Sequence, residues 1–156
     1  MKHHIFDLDH TVIDSSHRQR LKPNGDLDLD HWIANRANRD LVMADRLLPL
    51  AHYWRALGKP VAVCTSRVIS NLEHEFLAAH YLPVSYFSSR NLGDNRPDAE
   101  YKVAKIGKML QRLQWAPEDV TLYDDHPGVR QAVKAQLGIN VFDPIPFNKR
   151  ALSVVG

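Results

Sequence analysis

The chain has a single cysteine, Cys64, among its 156 residues. A lone cysteine excludes an internal disulfide. The start of the chain lacks an apolar run flanked by basic residues, so we expect no signal peptide, no membrane association and a reducing, cytoplasmic location. Repeats, low-complexity tracts and Gly/Ser linkers are also missing. We therefore expect one domain over residues 1–156, with no obligate protein partner.

The chain also lacks a large excess of charge of either sign. The formal net charge is +2 and the isoelectric point is about 8.7. This balance permits a phosphate-bearing substrate, but it lacks the basic excess of a dedicated nucleic-acid binder. No phosphate-binding loop of the Gly-x-x-x-x-Gly-Lys-Ser/Thr type occurs in the sequence. Its absence excludes a P-loop kinase within this sequence.

Short apolar runs alternate with amphipathic segments along the chain. The runs, rich in β-branched or aromatic residues, predict buried strands at 4–8, 61–64, 84–87, 120–123 and 139–142. The amphipathic segments predict helices around 50–57, 69–76, 106–113 and 129–137. Alternation of this kind favours an α/β fold with a doubly wound, Rossmann-like parallel sheet of five strands. Ligand sites in such sheets lie at the carboxyl ends of the strands.

Residues 14–48 interrupt this alternation. The segment is basic early, turn-like at residues 22–25 and acidic from Asp26 to Asp30. We interpret it as an insertion that forms a flap or a minimal cap, with a small helix at about 31–38.

Two pairs of acids follow predicted strands. Asp7 and Asp9 leave the first strand, and Asp124 and Asp125 leave the fourth. One aspartate after a strand is usually a turn cap, but capping does not explain two. Carboxylates held this close repel one another unless a cation joins them. Mg²⁺, a hard cation that prefers oxygen ligands, is the expected cation.

Further polar residues accompany these acids. The second predicted strand ends in Thr65, Ser66 and Arg67, where Thr65 taken alone would be a helix cap. Lys102 lies in the first turn of a helix that begins near Pro97, where the helix dipole disfavours a cation. A locally unfavourable charge indicates a functional role.

The order Asp-x-Asp, Thr, Lys, Asp-Asp resembles the four motifs of the haloacid dehalogenase (HAD) superfamily. The resemblance implies a phosphomonoesterase with Asp7 as the phosphorylated nucleophile and Asp9 as the general acid and base. Thr65 and Lys102 would complete the catalytic set. Mg²⁺ would be held by the side chain of Asp7, the backbone carbonyl of Asp9, and one or both of Asp124 and Asp125. One departure is His10, where the family most often has glycine.

A narrower resemblance covers most of the chain and points to the 3′-phosphatase domain of bacteriophage-type polynucleotide kinase/phosphatase. It rests on the segments 16–18, 65–67 and 93–98, and on the acids at 124–125. It implies substrate contacts from Arg18, Ser66, Arg67 and Arg96. On a nucleic-acid end, Arg18 and Arg67 would meet the backbone phosphates that flank the reacting one. The expected substrate is a nucleic-acid 3′-phosphate end or a nucleotide.

Four alternatives use the same residues. A nucleoside 5′-monophosphatase or a small-metabolite phosphatase fits the same catalytic set. A receiver-like phospho-acceptor module is disfavoured, because its acceptor would follow the third strand, where serines stand here. A non-catalytic binding protein is disfavoured by the intact motif acids.

Overall fold

The computed structural model describes residues 1–155, with side chains through residue 153. In chain order its strands are β1 His3–Phe6, β2 Ile13–Asp14, β3 Arg46–Leu47, β4 Val61–Cys64, β5 Val84–Ser88, β6 Val120–Tyr123 and β7 Asn140–Phe142. Its helices are α1 Leu29–Ala34, α2 Arg39–Met43, α3 Pro49–Ala56, α4 Asn71–Ala79, α5 Asp98–Leu113, α6 Pro127–Leu137 and α7 Pro144–Val155.

Five of the strands form one parallel sheet in the order β5-β4-β1-β6-β7. The chain runs outward from the central strand β1 to one edge and then crosses back to build the other half. This is the doubly wound topology predicted from the alternation of elements, with the predicted site edge at the carboxyl end of β1. The first strand begins and ends earlier than predicted, at His3 and Phe6.

Side chains alternate between the two faces of the sheet, as the pleat requires. Phe6 and Val63 pack with Trp54 of α3 in one apolar layer. Ile5 and Cys64 pack in the other layer, beneath α5 and α6. The central strands are buried on both faces and hold the strand ends in fixed positions.

Helix ends follow local signals in the sequence. Ser70 and Glu73 form a capping box at the start of α4. Pro127 begins α6, and Gly138 ends it in the left-handed conformation (φ 72°). These signals fix the helices that follow the sheet.

The predicted insertion differs in detail from expectation. It carries two short helices, α1 and α2, instead of the single helix predicted at 31–38. Asp28 and Asn38 cap these helices, so each begins at its own signal. β2 and β3 pair as an antiparallel ribbon that joins the two ends of the insertion.

The terminal helix α7 was not predicted, because its first turn contains two prolines. It docks through Asn148, whose side chain accepts a hydrogen bond from the Leu50 backbone N–H (2.9 Å) and donates to the Thr11 carbonyl (3.0 Å). No helix within residues 1–155 is both long and apolar enough to cross a membrane.

Candidate active site

Asp7 lies directly after β1 and is buried. Its backbone N–H donates to the Tyr123 carbonyl (2.9 Å), which extends the sheet ladder by one residue. Thr11 Oγ1 donates to Asp7 Oδ2 at 3.1 Å, and Lys102 Nζ donates to Oδ1 at 3.0 Å. Two donors therefore fix the orientation of the Asp7 carboxylate.

Lys102, the fifth residue of α5, reaches this site from near the start of that helix and also pairs with Asp124. Its side chain is only 4% exposed. Burial alone would lower the pKa of Lys102, but attraction to Asp7 and Asp124 outweighs it and raises that pKa. The lysine therefore stays charged, which accounts for its placement where the helix dipole opposes it.

Asp7, Asp124 and Asp125 form a cluster of acids. Each offers a carboxylate oxygen, and these atoms all lie within 4.8 Å of one another. Burial, together with the neighbouring acids, raises the pKa of Asp7 well above its ordinary value despite Lys102. Burial and Asp124 likewise raise the pKa of Asp125. One lysine does not balance three carboxylates, and these hard oxygen donors fit a divalent cation such as Mg²⁺.

Asp9 makes a different set of contacts. Its carboxylate accepts two hydrogen bonds from the Arg67 guanidinium, at 2.7 Å from Nε and 2.6 Å from the terminal nitrogen. Ser15 Oγ donates a third at 2.6 Å. Burial would raise the pKa of Asp9, but Arg67 and Ser15 outweigh it and lower that pKa to about 2. Asp9 is thus ionised and oriented, with its side chain 24% exposed.

Arg18 is buried in the insertion. Its Nε and one terminal nitrogen donate to the two oxygens of Asp45, at 2.8 and 2.9 Å, and its guanidinium stacks 4.3 Å from the centre of the Trp32 ring. Arg67 also contacts Asp45, at 3.4 Å. The residue predicted to meet flanking phosphates instead links the insertion to the arginine that holds Asp9.

Thr65 and Ser66 lie at the end of β4. Thr65 Oγ1 accepts the Arg67 backbone N–H at 3.1 Å, and the residue is buried rather than lining the cavity. Ser66 does line the cavity, and its hydroxyl is buried with no hydrogen-bond partner among the described residues. A buried hydroxyl without a partner is costly unless a ligand satisfies it. Ser66 is therefore available for a phosphate oxygen.

Arg96 lies on the rim, on the loop before α5. Its guanidinium is held by Asp94, at 3.1 and 2.8 Å, and its side chain is 39% exposed. The loop is organised by Arg90, which donates to the carbonyls of Ser66 (3.0 Å), Asp94 (3.0 Å) and Arg96 (2.8 Å). Arg96 can reach a ligand only in exchange for part of its pairing with Asp94.

His10, the departure from the family pattern, has φ 60°. This is the left-handed region that glycine enters freely and other residues enter at a cost. The turn expected of a glycine is thus kept with histidine in place. The His10 ring is exposed, lines the cavity and lies 3.3 Å from the Gln19 side-chain amide.

A cavity of about 560 Å³ unites these residues. Asp7, Asp9, Arg67, Lys102, Asp124 and Asp125 line it, together with Ser66, Arg96 and His10. Thr65 and Arg18 are the two predicted site residues outside the lining. The volume of the cavity falls within the range of small-molecule sites, about 300–1,000 Å³.

Five functional residues were missed from the sequence, and two of them, Thr11 and Ser15, orient the carboxylates of Asp7 and Asp9. Asp45 bridges Arg18 and Arg67, and Glu73 contacts Arg67 at 3.5 Å. Arg90 organises the rim loop. A Ser-x-x-Glu capping signal marks Glu73, whereas Asp45 and Arg90 carry no local signal.

Fold and site together define a HAD-type phosphatase, a phosphoric monoester hydrolase. The solved structures agree in fold. A HAD-superfamily hydrolase of subfamily IA from Geobacter sulfurreducens superposes with a TM-score of 0.59 at 17% identity, over 92% of this chain and 86% of that one. A chain of a Pnkp1/Rnl/Hen1 complex superposes with a TM-score of 0.63 at 20% identity, over 91% of this chain and 45% of that one.

The sequence comparison is more specific. The family model for the bacteriophage T5 5′-deoxynucleotidase matches residues 1–95. The 5′-deoxynucleotidase of Escherichia phage T5 is 30% identical in an alignment 167 positions long, gaps included, which covers 92% of this chain and 67% of that enzyme. The chain belongs to the bacteriophage T5 5′-deoxynucleotidase family.

Proposed function

We propose that this protein is a Mg²⁺-dependent phosphatase that releases phosphate from deoxynucleoside 5′-monophosphates through an aspartyl-phosphate on Asp7. The observation that carries the substrate is the family match, which extends over most of the chain. The observation that supports the chemistry is the buried carboxylate of Asp7, oriented by Thr11 and Lys102 beside two further acids.

Asp7, Asp124 and Asp125 are the residues that would hold Mg²⁺ through side chains, because they gather three oxygen donors around too little positive charge. The expected contribution of the Asp9 backbone carbonyl remains a prediction. When bound, the ion would neutralise charge on the phosphate and on Asp7. Lys102 supplies part of the same neutralisation from the protein itself.

In the first step a carboxylate oxygen of Asp7 attacks the phosphorus, and the bond from phosphorus to the sugar oxygen breaks. Asp9 gives a proton to that leaving oxygen. In the second step water attacks the phosphorus of the aspartyl-phosphate, Asp9 takes the proton from water, and inorganic phosphate leaves with Asp7 restored. Ser66, whose hydroxyl has no partner within the described residues, binds a phosphate oxygen.

The contact with Arg67 prepares Asp9 to act as the base of the second step more directly than as the acid of the first. In the unliganded site the guanidinium keeps Asp9 ionised, with a pKa of about 2. Phosphate oxygens entering the cavity compete for the same guanidinium and weaken its hold on Asp9. The substrate therefore favours proton uptake by Asp9 before the leaving group departs.

Nucleic-acid 3′-phosphate ends are a second candidate, supported by the fold shared with a chain of the Pnkp1/Rnl/Hen1 complex. That substrate was expected to use Arg18 and Arg67 for flanking phosphates. Here Arg18 pairs with Asp45 in a buried contact, and Arg67, itself buried, pairs with Asp9 and Asp45. Of the three arginines predicted to contact substrate, Arg96 alone lies on the rim, so the geometry favours a substrate with one phosphate.

The test is phosphate release with Mg²⁺ across matched substrates: deoxynucleoside 5′-monophosphates, ribonucleoside 5′-monophosphates, 3′-phosphorylated oligonucleotides and sugar phosphates. We expect the highest kcat/KM for the deoxynucleoside 5′-monophosphates. The variant Asp7→Asn, nearly isosteric but a poor nucleophile, serves as the inactive control. A higher kcat/KM for the 3′-phosphorylated oligonucleotide would transfer the assignment to the second candidate.

A further inference from the structure

One side of the active-site cavity is apolar. The side chains that form it all come from the insertion, and two of them, Leu21 and Leu29, are 63% and 58% exposed. We call this surface the aliphatic wall. It comprises Leu21, Leu27, Leu29 and Ile33, which line the same cavity as Asp7 and Asp9.

A hairpin places the first two leucines together. Leu21 and Leu27 pair across an antiparallel bridge. The Lys22 N–H donates to the Asp26 carbonyl at 2.7 Å to close the turn between them. Residues opposite each other in such a bridge project their side chains to the same side. The hairpin therefore presents two leucines as one surface.

Helix α1 supplies the rest of the wall. Leu29 and Ile33 are four residues apart, so they lie on one face of the helix. The Asp28 side chain caps α1 by accepting the His31 N–H at 3.1 Å, while its own backbone N–H donates to the Arg20 carbonyl at 2.7 Å. Asp28 thus joins the hairpin to the helix.

Trp32 anchors the wall to the catalytic residues. It lies between Leu29 and Ile33 in α1 and is 8% exposed. Its ring stacks 4.3 Å from the guanidinium of Arg18 and 5.3 Å from that of Arg67. Because Arg67 also holds Asp9, the wall has a defined position relative to the reacting phosphate.

Apart from Val68 and Val129, the rest of the cavity is lined mainly by polar residues. Its charged floor carries the acids and Lys102, and the loop that contains Asp94, Asn95 and Arg96 lines it as well. Exposed leucine surface is unfavourable in water, by about 25 cal/mol per Å². A ligand with an anionic phosphate, a flat apolar face and a polar edge would cover this surface. A nucleoside monophosphate has these three parts.

We propose that the aliphatic wall is the nucleobase subsite and packs against the face of the base while the phosphate occupies the floor. This inference rests on the proposed function and adds the residues that distinguish a nucleotide from a sugar phosphate. Leu21 and Leu29 contribute the surface that the base covers. Both are exposed and contribute little to the hydrophobic core, so they can be changed without unfolding the protein.

The experiment compares deoxythymidine 5′-monophosphate with 2-deoxyribose 5-phosphate, which has the same phosphate and sugar but no base. In the unaltered protein we expect the nucleotide to have the higher kcat/KM. The double variant Leu21→Ser/Leu29→Ser should lower the ratio of the two kcat/KM values by about tenfold or more, the scale of aliphatic contacts in a specificity pocket. Turnover of 2-deoxyribose 5-phosphate should fall much less than turnover of the nucleotide, because this substrate has no base to lose.

Leu152→Ser is the matched control, because Leu152 is 55% exposed on α7 and outside the cavity lining. It should leave the ratio unchanged, and equal Tm values should show that all variants are folded. Titration calorimetry on Asp7→Asn should give the same loss of nucleotide affinity when the leucines are changed. A ratio near one in the unaltered protein, or one unaffected by the double variant, would overturn the subsite and leave the nucleotidase assignment standing. No hydrolysis of 5′-monophosphates would instead overturn the proposed function.

Discussion

The Arg67 guanidinium donates hydrogen bonds to both carboxylate oxygens of Asp9, at 2.7 and 2.6 Å, and the Arg67 side chain is 2% exposed. The two parallel hydrogen bonds fix the plane of the carboxylate as well as its position. A lysine at position 67 keeps the positive charge but cannot form this two-pronged contact. Replacing Arg67 with lysine therefore separates the effect of its charge on Asp9 from its effect on the orientation of the Asp9 carboxylate.

We predict that Arg67→Lys lowers kcat by about 100-fold on deoxynucleoside 5′-monophosphates, the lower end of what general acid–base catalysis contributes. In the first step the loss should be much smaller on p-nitrophenyl phosphate, whose leaving group departs without a proton, whereas the second step uses Asp9 with either substrate. Pre-steady-state kinetics of leaving-group release measures the first step on both substrates. Equal losses in that step would show that Arg67 acts on the phosphate and not through Asp9.

Arg18 tests the buried pairing within the insertion. Arg18→Ala leaves Asp45 buried with only its longer contacts to Arg67 and His17, and removal of one partner from a buried ion pair costs about 3–5 kcal/mol. We expect the free energy of unfolding, measured by urea denaturation, to fall by an amount of this size. A stable Arg18→Ala protein that loses activity only on oligonucleotides would restore Arg18 as a phosphate contact.

The acid cluster gives a pH-dependent prediction. The pKa of Asp7 is raised in the folded protein, so the metal-free protein binds its proton more tightly than the unfolded chain does. The stability of the metal-free protein therefore falls as the pH rises from about 4, the ordinary pKa of a carboxyl group, through the raised pKa of Asp7. The lowered pKa of Asp9 has the opposite effect, because it adds stability as the pH rises. That gain is fully present above about pH 4, so it does not change over the range in which Asp7 titrates.

Mg²⁺ needs the ionised carboxylates, so it should raise the Tm more at about pH 8 than at about pH 5.5. Asp125→Asn should raise the Tm of the metal-free protein at the higher pH, because it removes one of three neighbouring charges, and should abolish most of the Mg²⁺ effect. Scanning calorimetry with EDTA or Mg²⁺ measures both. An unchanged Mg²⁺ response in Asp125→Asn would remove that residue from the metal site.

His10 occupies a backbone conformation suited to glycine (φ 60°). We predict that His10→Ala lowers the free energy of unfolding relative to His10→Gly by about 1 kcal/mol, because alanine keeps the steric cost and glycine removes it. Denaturant unfolding of the two variants gives this difference directly. Equal stabilities would mean that the turn adapts to a side chain at no cost.

The sequence predicted the parts of the site that follow strands. Asp7, Asp124 and Lys102 meet because parallel strands and the helix after them deliver their ends to one edge of the sheet, and the apolar runs that define those strands are local in sequence. The resemblance to HAD motifs gave the roles of these residues. Their mutual contacts agree with the proximity that this topology implies.

The pairing of Arg18 with Asp45 could not be predicted. The two residues are separated by 27 positions within an insertion that has no strand or helix periodicity over most of its length. They meet only because the ribbon of β2 and β3 closes the insertion and Trp32 packs beneath the guanidinium. In the sequence Arg18 is indistinguishable from a surface arginine, since its burial depends on this closure.

The most direct test of the mechanism is the chemical capture of phosphorylated Asp7. The protein would be mixed with a deoxynucleoside 5′-monophosphate and Mg²⁺, quenched in acid during turnover, and treated with borohydride, which reduces an acyl phosphate to an alcohol. We expect mass spectrometry of the peptide that contains Asp7 to show homoserine at position 7. The signal should be absent with EDTA and in Asp7→Asn. Reduction at a different acid, or full turnover in Asp7→Asn, would contradict the assignment of Asp7 as the nucleophile.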